Sequence, residues 1–97
     1  MHVNPEILAQ VIETIHQHLP NASLIAFGSR VTGQPKATSD LDIAIKGQEK
    51  IELKTLAQIT EALANTDITY KIDIVDYNRI TPGFQKHIDL QGKKIIY

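Results

Sequence analysis

The sequence predicts an α+β domain in which helices flank a small mixed β-sheet. Residues 5–19 and 49–64 place apolar side chains at helical spacing. Residues 40–46 and 68–75 alternate apolar and polar, and 23–27 is a short, mostly apolar run ending in glycine. Helices and strands then follow one another as helix, strand, strand, helix, strand, helix, with a short final strand at 95–97.

The first helix runs from Pro5 to about Leu19. Asn4 supplies the N-cap, Pro5 suits the first helical position, and Glu6 complements the positive end of the dipole. Leu8, Val11, Ile12, Ile15 and Leu19 fall on one stripe, and Pro20-Asn21 ends the helix. Ser23 to Phe27 reads as a strand buried on both faces. Gly28 to Ser39 is rich in Gly, Ser, Thr, Pro and Lys, hence mainly loop, with room for one opening helical turn.

In the strand at 40–46, Leu41, Ile43 and Ile45 face one way, and Asp40 and Asp42 the other. Gly47 closes it, and a helix over Glu49 to Ala64 aligns Leu53, Leu56, Ala57, Thr60, Leu63 and Ala64. From Ile68 to Val75, Ile68, Tyr70, Ile72 and Ile74 share a face, while Thr69, Lys71, Asp73 and Val75 share the other. Thr81-Pro82 reads as an N-cap and first-position proline, opening a helix to about Leu90 that Gly92 ends.

Length and composition narrow the function classes. Ninety-seven residues make one domain, 1–97, near the lower limit for a self-sufficient core. Without cysteine there are neither disulfides nor thiolate metal sites, which suits the cytoplasm. No apolar run is long enough for a membrane span, and the N-terminal residues lack the pattern of a signal peptide. Ten basic residues against eleven acidic ones give no electrostatic footprint for nucleic acid, so no direct nucleic-acid binding is expected.

The chemistry gathers around two short motifs. Asp40 and Asp42, separated by one strand residue, point the same way roughly 7 Å apart. Such a carboxylate pair is destabilising unless a cation lies between, and magnesium prefers these hard oxygen ligands. A bare D-x-D is more often a strand start with two solvated carboxylates. Upstream, Gly28-Ser29 stands where a buried strand must turn, and there glycine lets phosphate approach backbone N–H groups and a serine hydroxyl. Gly-Ser, ten residues, then Asp-x-Asp arises by chance in roughly one chain in a thousand of this length at average residue usage. Together the two halves point to metal-dependent chemistry on a phosphate.

This G-S-x10-D-x-D pattern, Gly28-Ser29 with Asp40-Leu41-Asp42, resembles the signature of the polymerase-beta-type nucleotidyltransferase superfamily. A single short domain with one preceding helix is similar to the minimal nucleotidyltransferase (MNT) proteins. The resemblance spans nearly the whole chain and implies the nucleotidyltransferase fold. It also implies a third carboxylate on a later apolar strand. Asp73, between Ile72 and Ile74, fits that place better than Asp76, which stands where the strand ends.

The implied mechanism has Asp40, Asp42 and Asp73 holding two Mg2+ ions, with Gly28 and Ser29 cradling the phosphates of ATP. A nucleoside monophosphate then moves to an acceptor hydroxyl. MNT domains of this length resemble the antitoxin of bacterial modules whose toxin is a HEPN-domain ribonuclease. The implied reaction is type VII-like: AMP passes from ATP to a tyrosine hydroxyl of that cognate partner within a hetero-oligomer. Two alternatives stay open. One is transfer to a small molecule such as an aminoglycoside, with a partner chain completing the site. The other is an antitoxin that neutralises its partner by masking alone.

Lesser candidates have plainer readings. Arg30 can reach a phosphate, although an exposed loop arginine is the commoner case, and Lys36 and Lys46 are weaker versions of the same idea. Ser39 turns the loop into the strand. His16 and His18, two apart on a helix, cannot share a metal ion and read as solvated; His87 is unpaired. Tyr70 reads as a core residue.

Overall fold

The computed structural model describes residues 3–33, 40–69 and 71–95. Lys36, Ser39 and Tyr70 lie outside them, as do residues 96 and 97 of the expected final strand. The order is α1 (Pro5–His18), β1 (Ser23–Phe27), α2 (Ser29–Thr32), β2 (Leu41–Lys46), α3 (Leu53–Ala64), β3 (Ile72–Asp76), α4 (Pro82–Gln91) and β4 (Lys93–Ile95). The four strands form one mixed sheet in the order β3-β2-β1-β4, as the expected α+β class requires. β1 runs antiparallel to β2 and to β4, whereas β2 and β3 are parallel. A parallel neighbour needs a crossover, and α3 supplies it.

The strand alternation builds two cores, one on each face. Leu24 and Ala26 of β1 and Leu41, Ile43 and Ile45 of β2 pack with Val11, Ile12 and Ile15 of α1 and Ile59 and Leu63 of α3. On the reverse face, Phe27, Ala44 and Tyr77 pack with Ile88 of α4. Fully burying each aliphatic side chain contributes roughly 1.5–3 kcal/mol. The central strands, covered on both sides, have the strongest claim to it.

Helix starts follow their local chemistry. The Asn4 side-chain oxygen accepts from the Glu6 amide at 2.8 Å, with Pro5 in the first turn. The Thr81 hydroxyl accepts from the Phe84 amide at 3.2 Å, with Pro82 following.

The second predicted helix needs correction: α3 begins at Leu53, not Glu49. The preceding backbone is engaged elsewhere, because Ile51 donates its N–H to the Asp76 carboxylate and its carbonyl accepts from Arg79. The buried stripe also differs from the expected one. Ile59 and Leu63 are buried with Leu56 against them, while Leu53 is 66% exposed. Centring the stripe on Ile59 removes more apolar surface from water than covering Ala57 and Ala64 would. β3 likewise begins at Ile72, later than the expected Ile68, although Ile68 still packs against the first core.

Candidate active site

Gly28, Asp42 and Asp73 come together at one end of the sheet. Asp42 is paired in register with Phe27, the last residue of β1, on one side and with Asp73 of β3 on the other. Leu41 and Ile43 are sealed in the α1–α3 core, so the pleat sends Asp42 to the face that carries α4. α4 covers Ala44 on that face, and Asp42, two residues earlier, is half-buried. Asp73 is exposed, and so is Asp40, immediately before β2.

This crowding has an electrostatic signature. The Asp42 carboxyl is pushed above its ordinary value of 3.8, first by burial, then by the charge of Asp73 and then by that of Asp40. Both other carboxylates therefore act on Asp42 electrostatically. Among the described residues no group of three or more acidic, histidine or cysteine side chains is placed to hold a metal ion. Asp42 and Asp73 still present hard carboxylate oxygens whose mutual repulsion a divalent cation would relieve.

Gly28 completes the site from the β1 side. Its φ of 83° and ψ of −162° lie in a region essentially reserved for glycine. A Cβ there would meet the Asp42 carboxylate. Ser29, exposed, opens the single turn α2, the helical turn expected after β1.

The remaining candidates separate. Arg30 is buried on α2 rather than exposed in a loop. Lys46 sits at the opposite end of β2, its Nζ 4.6 Å over the Tyr77 ring, so it belongs to a different region from Asp42. Asp76 is 4% exposed, bonded to the Ile51 and Asn78 amides and paired with Arg79 at 3.2 Å. It is a buried bracket between β3 and the segment before α3.

His16 and His18 are not simply solvated. Both are half-buried and hydrogen-bonded to the carbonyls of Ala22 and Thr14, and His87 stands 6.3 Å from the Phe84 ring. Clefts of about 400 and 470 Å³ flank Gly47 at the far end of the sheet and include none of the three candidate aspartates.

Comparison with known proteins decides the family. Residues 9–97 match the family described as polymerase beta, nucleotidyltransferase. The chain belongs to the polymerase beta nucleotidyltransferase family. It is also 33% identical over 86 residues to the "probable protein adenylyltransferase MntA" of Haemophilus influenzae, spanning 89% of this chain and 75% of that one.

Solved structures share the nucleotidyltransferase fold. One, a toxin–antitoxin with AMP-PNP, superposes with a TM-score of 0.77 at 22% identity, covering 95% of this chain and 72% of the other. Another is a tri-AMPylated Shewanella oneidensis HEPN toxin in complex with its MNT antitoxin. It superposes with a TM-score of 0.71 at 19% identity, covering 92% and 68%. Among the described residues of this nucleotidyltransferase, no helix is long and apolar enough to cross a membrane.

Proposed function

We propose that this nucleotidyltransferase transfers AMP from ATP to a tyrosine hydroxyl of a cognate HEPN-domain toxin and neutralises it in the cytoplasm. The observation that carries the reading is the registered pair Asp42 and Asp73 beside the Gly28 turn. The adenylyltransferase name of its Haemophilus relative supports AMP as the transferred group. The AMPylated toxin held by a structural neighbour supports the protein acceptor.

Gly28 and Ser29 bind the donor's phosphates: the glycine leaves the backbone open to a phosphate oxygen, and the exposed Ser29 hydroxyl donates to it. Arg30, on the same turn, supports the phosphate-binding backbone from its buried position. Asp40, Asp42 and Asp73 would hold two magnesium ions. Bound there, they supply neutralisation of the triphosphate and stabilisation of the attacking and leaving oxygens.

Asp73, exposed on the sheet's edge strand, meets the acceptor and takes the proton of its hydroxyl. The hydroxyl oxygen forms a bond to the α-phosphorus of ATP. The bond from that phosphorus to the bridging oxygen breaks, and pyrophosphate leaves with the electron pair. Asp42, wedged between Gly28 and Asp73, fixes the geometry of this transfer.

Intact-mass measurement of the partner after incubation with this chain, ATP and magnesium tests the proposal. The expected result is a gain of one or more AMP units that disappears with Asp42→Asn. An unmodified partner that Asp42→Asn still neutralises would instead establish masking. AMP found on an aminoglycoside and not on protein would establish the small-molecule alternative.

A further inference from the structure

One cluster on the site's face has no role in that scheme. Phe27, paired in register with Asp42, is a near neighbour of the carboxylate on the same side of the sheet. Its ring meets the Phe84 ring edge to face, with centroids 5.6 Å apart and an angle of 84°. Phe27 is 8% exposed, an ordinary core residue, whereas Phe84 keeps 36% of its surface in solvent. Beside it, Gly83 faces open space: a Cβ there would meet nothing within 4 Å. Thr81 and Pro82 anchor this end of α4, so the ring is carried on a fixed backbone rather than a loop.

We infer that Phe84 is the platform on which the nucleobase of the bound nucleotide stacks. The inference rests on the proposed placement of the phosphates at Gly28 and Asp42. From there a nucleotide extends across its ribose before its base needs a surface. The Phe84 ring lies two side-chain steps from Asp42, through Phe27, on the face that must receive the nucleotide. An aromatic ring stacks on any base through its π-face, without hydrogen-bond readout. Phe84 therefore contributes affinity for the nucleoside end, and base selectivity must come from elsewhere.

The test compares two probes on the full chain with magnesium: a non-hydrolysable ATP analogue and inorganic tripolyphosphate. Phe84→Leu retains apolar packing on Phe27 but removes the π-face, and a melting curve checks that it is folded. It is expected to weaken the ATP analogue about tenfold, within the range base–aromatic stacking supplies, and to leave tripolyphosphate unchanged. Phe84→Tyr should restore analogue binding.

Equal weakening of both probes, or of neither, would overturn the platform. So would unchanged analogue binding combined with weaker association with the HEPN partner, which would assign the ring to the protein interface. If the unaltered chain binds neither probe, the phosphate site itself fails and the platform falls with it. That outcome is distinct from a wild-type chain that binds both probes and is indifferent to Phe84.

Discussion

The Asp42 carboxylate lies where a side chain on Gly28 would have to begin. The end of β1 and the start of β2 thus approach so closely that only a hydrogen at Gly28 leaves room for Asp42. The positive φ of Gly28 adds a second, independent requirement for glycine. Motif spacing and site geometry are two descriptions of this one contact.

Replacing Gly28 with alanine should therefore damage both stability and transfer. Backbone strain of this kind costs about 1–3 kcal/mol, and the displaced Asp42 should lower nucleotidyl transfer by about a hundredfold, the scale on which an ångström of misplacement acts. Denaturant unfolding and initial rates measure the two. A Gly28→Ala/Asp42→Gly double variant should regain part of the stability and none of the activity, since the contact term then vanishes while the φ term persists.

The raised Asp42 pKa predicts a pH dependence with a definite sign. A carboxyl whose folded pKa exceeds its unfolded value binds its proton more tightly when folded. Its ionisation therefore makes stability fall as pH rises through the interval between the two values, from near 3.8 upward. Without metal, Asp42→Asn should melt higher than the unaltered chain above that interval, with the gap closing as pH falls below it. A gap independent of pH would show that charge is not the cause.

Two aspartates only three residues apart should behave oppositely. Asp76→Ala leaves the Ile51 and Asn78 amides and Arg79 without their carboxylate and should cost about 3 kcal/mol. Asp73→Asn removes an exposed charge that repels Asp42 and should hold or slightly raise stability in the metal-free chain while abolishing transfer. Unfolding curves and rates on the two variants check the contrast.

Magnesium and ATP together should raise the melting temperature, because ligands that bind only the folded chain stabilise it by mass action. The rise should vanish in Asp40→Asn and Asp42→Asn, as thermal melts with and without ligand would read.

What the sequence reveals follows the range of the interaction concerned. Asn4-Pro5 and Thr81-Pro82 act within one helical turn, so both helix starts can be read residue by residue. The alternation around Asp42 and around Asp73 is local too, and the β2–β3 register then puts these two carboxylates on one face. The α3 start is not local. It depends on Asp76 and Arg79 capturing Ile51 from 25 and 28 residues away, which no helical pattern near Glu49 contains. Phe84 escapes for the same reason, since its neighbour Phe27 is 57 positions earlier and meets it only once α4 has folded over the sheet. Arg30 reads as a loop residue because Gly28 to Ser39 is loop-like in composition, yet it is buried on α2.

The most direct test follows the phosphorus atoms. The purified chain, its HEPN partner and magnesium are incubated with ATP labelled at the α-phosphorus or, in parallel, at the γ-phosphorus. The α-label should appear on a partner tyrosine and the γ-label only in pyrophosphate, with both products lost in Asp42→Asn and in Asp73→Asn. A γ-label on the partner, or no label on a partner that is nevertheless neutralised, would contradict nucleotidyl transfer to protein as this chain's function.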